Sequence, residues 1–188
     1  MPLVAILLLA NLGALGLSAT GPAPVVLASH AIGAQSGPDS VSIDTLAWLV
    51  GQWTTTEPGD HGDSVYVTMN CRWLTTHQGI AFDVSFTHGR TGKATPHYDG
   101  VYYWDPAQHG FASWQVDENG QVGTATIMLT PTGWEQTTHI VHRDGKAHST
   151  RTRLERIDAN SFRLVGMFRP ANSETWMPAI DQIYRRVR

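Results

Sequence analysis

Leu46-Ala47-Trp48-Leu49-Val50-Gly51-Gln52-Trp53 is the stretch on which the fold turns. Leu46, Leu49 and Val50 stand three and four apart, the spacing of one apolar helical face, and Ser42 or Asp44 carries the short acceptor side chain that caps a helix start. Gly51 follows, the residue that enters positive φ at least cost, so the helix is expected to stop there. Trp53 then falls in a first strand, Gln52 to Glu57. The stretch reads as a short helix plugging the end of a β-barrel, with Trp53 beneath it.

Downstream, the pattern changes to period two. Val65, Val67, Met69, Cys71 and Trp73 alternate with Tyr66, Thr68, Asn70 and Arg72, and Ile80, Phe82, Val84 and Phe86 alternate with Ala81, Asp83, Ser85 and Thr87. Further strands are expected at His97–Trp104, Gly110–Val116, Val122–Leu129, Trp134–His142, His148–Ile157, Phe162–Arg169 and Ile180–Val187. Asn119-Gly120 and Asp144-Gly145 are hairpin turns whose glycines suit positive φ. About ten strands joined by short turns, with no crossover helices, imply an antiparallel meander. An open sheet of that size leaves two long edges, and closure into an up-and-down barrel removes them. The predicted fold is therefore all-β, about ten strands, with the short N-terminal helix closing one end. Barrels of this kind can enclose one small ligand.

Composition agrees. Hydrophobic residues make up 41% of the 188 and charged residues 15%, a balance that argues against disorder and coiled coils. The net charge of -3 gives no reason to expect nucleic acid or an acidic membrane as partner. The charge is uneven: Val41–His142 holds three basic and ten acidic residues, whereas Arg143–Arg188 holds ten basic and five acidic. Basic outer faces of late strands are expected beside acidic early ones where the sheet closes. Cys71, the single cysteine, excludes an internal disulfide and sits on an apolar strand face, as a small buried thiol does.

Three segments follow from this pass. Residues 1–20 resemble a secretory signal: Val4–Leu17 is an apolar run and Ser18-Ala19-Thr20 suits cleavage, although no Lys or Arg precedes Arg72. Residues 21–40, rich in Ala, Gly, Pro and Ser, read as a flexible linker. Residues 41–188 form the barrel domain. The expected location is secreted or periplasmic, with no membrane span in the mature form; oligomeric state stays open.

Gly51-Gln52-Trp53, following a short helix at the start of strand one, resembles the G-x-W signature of the lipocalins and the wider calycin group. In that group the Trp packs across the closed barrel end against an Arg of the last strand, and Arg185 and Arg186 are the candidates here. The fuller pattern, with Tyr103-Trp104-Asp105-Pro106 in the middle and Tyr184-Arg185-Arg186 near the end, resembles bacterial lipocalin-like domains of unknown function over residues 43 to 188. It is more distantly similar to nitrobindin-like haem-binding barrels. That second resemblance implies haem as the one candidate cofactor, held by a late-strand histidine, for which His139 and His148 are available. The motifs mark fold rather than chemistry.

Chemical signatures are sparse. No G-x-S-x-G elbow occurs. His139 and His142, three apart on a strand, fall on opposite faces. His148 can meet one of them across the Asp144-Gly145 hairpin, but no third ligand stands at a recognisable spacing, so no metal site is read. Asp83 and His97 make an acid–base pair only if Asp83 faces inward, and its alternation with Phe82 and Val84 turns it outward. The aromatic residues are the better guide. Phe82, Phe86, Tyr102, Trp104, Trp114, His139 and His148 are the candidate lumen residues, around a small and largely apolar ligand. The alternatives are a small-molecule isomerase or cyclase using a lumen His or Asp, and the haem protein.

Overall fold

The computed structural model describes residues 42–59 and 62–188. The expected signal (1–20) and linker (21–40) lie outside the described residues. The helix is real but tighter than an α-helix: Ile43–Leu49 is 3₁₀. Ile43, Leu46 and Leu49 are buried. They recur every third residue, and three residues per turn stacks them on one face. Val50, expected on that face, is instead the C-cap, its N–H bonded to Ala47 O at 3.1 Å. Of the two cap candidates Ser42 serves, its hydroxyl oxygen accepting from the Asp44 N–H.

Ten strands follow: β1 (Gly51–Pro58), β2 (Ser64–Trp73), β3 (Gly79–His88), β4 (Ala94–Asp105), β5 (Gly110–Asp117), β6 (Val122–Thr130), β7 (Gly133–Val141), β8 (Ala147–Arg156), β9 (Ser161–Pro170) and β10 (Met177–Arg186). Each pairs antiparallel with its sequence neighbours, and β1 pairs with β10, so the sheet closes into an up-and-down barrel without edges. Gly120 takes the expected positive φ of 72° in the β5–β6 turn.

Two strands run longer than expected for the same reason. β4 begins at Ala94 and β10 at Met177. Each passes through a proline, Pro96 or Pro178, beside a register irregularity. A bulge leaves one residue out of the ladder and lets proline, which has no N–H to give, sit within a sheet.

The closing seam is short: Trp53 opposite Arg186 and Thr54 opposite Arg185, with the Val187 N–H bonded to Gln52 O at 2.8 Å. Arg186 reinforces it. Its guanidinium lies over the Trp53 ring at 4.0 Å and donates to Trp48 O and Val50 O, both at 2.7 Å, and to Ala159 O at 3.3 Å. Gly51 is required twice here. Its φ is 134°, and a Cβ at this position would run into the Arg186 guanidinium. The Trp53 indole N–H donates to Leu49 O at 2.6 Å, which ties the helix down onto the ring. Around Trp53 gather Phe162 (4.9 Å), Trp48 (6.3 Å) and, through Trp48, Trp134 (5.6 Å), with Tyr184 stacked on Phe162. This aromatic floor stoppers one barrel end.

Basic late strands were expected beside acidic early ones where the sheet closes; among the described residues no ion pair joins β1 and β10. Arg72 pairs with Asp83, Arg163 with Asp181, and Arg153 with Glu135 and Glu155, all between adjacent strands or within one. Arg185, the other expected closure residue, is exposed, because its neighbour Tyr184 faces in and alternation turns it out.

Arg186→Ala removes three charged hydrogen bonds and a cation–π contact, and should cost about 3 kcal/mol in urea unfolding; Arg185→Ala should stay within about 0.5 kcal/mol of the parent. Equal effects would show that the guanidinium is not the lock.

Candidate functional site

The stopper makes the barrel interior one-ended. Alternation from the buried anchors decides which side chains enter it. Thr55 and Glu57 follow Trp53 inward on β1, Gln136 and Thr138 follow Trp134 on β7, Thr152 and Thr150 precede Leu154 on β8, and Gln182 precedes Tyr184 on β10. At the floor these inward residues are fully buried. Above it, in the half away from the stopper, Thr55, Glu57, Tyr98, Gln115, Thr150, Thr152 and Gln182 are only half-buried.

The walls of this lumen differ. On β3 and β4, Phe82 stacks on Tyr102 at 4.5 Å and meets the Tyr98 edge at 6.2 Å. Burial pushes the Tyr98 phenol up to about 12 and raises Tyr102 and Tyr184 as well, so all three stay neutral hydroxyls near pH 7. Cys71 is buried beside them, and the same desolvation raises its thiol to about 12, which makes it an unreactive packing residue. The β5–β10 wall is polar. Ser113 and Thr138 are 2% exposed and Gln136 7%. The Gln136 amide N–H reaches Thr138 Oγ1 at 3.4 Å, and its Oε1 has no partner; nor has Gln182 Oε1 or the Trp134 indole N–H.

The candidate lumen residues separate on this frame. Phe82 and Tyr102 face inward and form the upper surface of the floor, with Tyr102 5.4 Å from Trp134 across the barrel. Trp104 faces in but packs on Phe111 at the stoppered end. Phe86 stands toward the mouth, 4.4 Å from His97. Two candidates are corrected. Trp114 is 40% exposed, because Phe111 and Ser113 take the inward positions of β5 and leave Trp114 with the outer set. His139 is likewise exposed, lying between inward Thr138 and Ile140. His148 faces in, with its ring 5.1 Å from Phe168.

The residues sequence reading missed are the polar ones: Glu57, Gln136, Thr150, Thr152 and Gln182. Their signal was parity. Each stands two or four positions from a large apolar anchor on its own strand.

His142 and His148 meet across the β7–β8 hairpin, Nε2 to Nδ1 at 2.6 Å, one ring donating to the other. Among the described residues no third ligand gathers on them. Asp83 is turned outward as expected, where it takes the Arg72 guanidinium and the Asn70 amide, so it has no part in lumen chemistry. Of the two haem-ligand candidates, His139 points away, and His148 faces in with its Nδ1 engaged by His142 and its Nε2 left over; among described strand residues the only Lys or Arg with inward register are Arg156 and Arg186, both at the stoppered end, so no such cation stands further up the interior to meet a propionate.

Two further concavities lie outside the lumen. One, about 460 Å³, opens at the stoppered end between Thr45, Trp48, Leu129, Thr130, Arg156 and Ile157. The other, about 230 Å³, is a dip near Tyr103, Gln108 and Thr124. Both are open to solvent.

No family model and no curated protein matches the chain.

Burial pushes His148 below its ordinary value of 6.5, with His142 and His139 adding and Asp117 opposing. A folded-state value below the unfolded one means the unfolded chain takes the proton first, so stability is lost as pH falls through about 6.5. Urea unfolding between pH 8 and pH 5 should show the parent losing more stability than His148→Asn; parallel curves would show that the pair does not feel its burial.

Proposed function

We propose that this barrel is an exported, lipocalin-like carrier that holds a small, largely apolar molecule in the open half of its lumen. One observation supports it above others. Inward side chains are buried at the aromatic floor and half-buried above it, which describes a space closed at one end and entered from the other. The Phe82, Tyr98 and Phe86 wall offers an apolar body its contact surface. The glutamines and threonines opposite offer a few polar contacts that set its orientation. Of the acid–base candidates for an isomerase or cyclase, Asp83 lies outside and Cys71 is held as a thiol, while the inward His142–His148 pair stands near the mouth.

Titration with a fluorescent apolar probe tests this reading. Thr150→Phe places a ring in the open half and should weaken probe binding about tenfold, whereas Trp114→Phe, on the outer face, should leave it unchanged. Equal effects of the two, or a Soret band in the purified protein, would overturn it.

A further inference from the structure

The lumen carries one charge whose purpose the fold does not explain. Glu57 follows Trp53 and Thr55 on the inward side of β1 and is half-buried. Tyr98 on β4 and Tyr184 on β10 face the same interior from two other walls. None of the ion pairs among the described residues includes it. A carboxylate on the inward side of a barrel is a ready partner for a cationic group that enters it.

Two further lumen groups have the same sign of demand, while the unpartnered Trp134 indole N–H, a donor, lies at the floor. Gln136 Oε1 and Gln182 Oε1 are buried acceptors without donors. Asp117, near the mouth, has Oδ1 held by the Asn119 and Gln121 amides and adds negative charge there. The arginines Arg151, Arg153, Arg163, Arg169 and Arg185 all stand on outward positions of β8–β10, and Arg186 is consumed at the floor. The lumen is thus rich in acceptors and, among the described residues, lacks an accessible cation.

Resting on the carrier reading, we propose that the ligand is a cationic amphiphile: its protonated amine is received by Glu57, and its apolar body lies against Phe82 and Tyr98. A carboxylate of the same length meets repulsion from Glu57 and finds no guanidinium or ammonium in the open half.

Three probes of equal chain length separate this from the carrier reading. Dodecylamine, dodecanol and dodecanoate, each below its micelle concentration at pH 7, compete with a bound fluorescent probe. Dodecylamine should bind at least about tenfold more tightly than dodecanoate. Glu57→Gln, which keeps the shape of the side chain, should bring dodecylamine down to the level of dodecanol and leave dodecanol unchanged. Binding of all three without preference, or an amine affinity indifferent to Glu57→Gln, would overturn the charge selection and leave the carrier reading standing. No binding by any of the three would overturn both.

Discussion

A single guanidinium holds this barrel shut. The β1–β10 seam is short, with two residue pairs in register. Arg186 ties four segments together: the carbonyls of Trp48 and Val50 at the helix end, the Ala159 carbonyl in the β8–β9 turn, the indole face of Trp53 on β1, and its own strand β10. A planar fork of donors suits that work as an ammonium does not, since it can bond two carbonyls in one direction and stack on a ring in another. Gly51 makes the approach possible by having no side chain where the guanidinium passes. The Trp53 indole then uses its one donor on Leu49 O. The Arg186 guanidinium and the Trp53 indole N–H are thus both satisfied within the stopper, so the floor holds no orphaned charge, although the buried Trp134 indole N–H has no partner.

That lock determines what the rest of the interior can be. On the carrier reading, with one end filled by aromatic rings, solvent enters from the other, and the strands above the floor form a cup rather than a pore. The cup is asymmetric. β3 and β4 contribute rings and branched aliphatics, while β7, β8 and β10 contribute amides and hydroxyls with some hydrogen-bonding capacity unused. Unused acceptors in a buried wall are costly in an empty core and sensible in one that is completed by a ligand. The outward distribution of arginine follows the same division. Arg72, Arg153 and Arg163 meet carboxylates of neighbouring strands on the solvent side, and Arg151 and Arg169 lie over the Trp176 ring.

Much of this was legible before any coordinates. The helix, the turn at Gly51, the Trp53 anchor, the hairpins and the closure of about ten strands all follow from local chemistry: a cap, a glycine, alternation and short turns. Strand ends at Pro96 and Pro178 were not legible, because a bulge that accommodates proline depends on the partner strand's register rather than on the strand's own residues. The interior was misread where hydrophobicity and parity disagree. Trp114 is large and aromatic yet outward, because Phe111 and Ser113 hold the inward positions; Gln136 and Thr138 are polar yet inward, because Trp134 is the anchor of β7. Choosing between Arg185 and Arg186 required the same step, since the partner of Trp53 is the arginine two residues beyond buried Tyr184. Parity counted from a confirmed anchor is stronger than residue type in a closed barrel, where an inward position has nowhere else to point.

Indole hydrogen exchange reports most directly on the central claim that Arg186 and Trp53 seal one end. The chain has seven tryptophans, and their indole protons can be followed separately by NMR. The Trp53 proton, bonded to Leu49 O beneath the helix, is expected to exchange only through global unfolding, at a rate that tracks the stability measured by urea, while exposed Trp114 exchanges immediately. A Trp53 proton that exchanges as fast as that of Trp114 in the folded protein would mean that the end is open, and the one-ended cup would have to be abandoned.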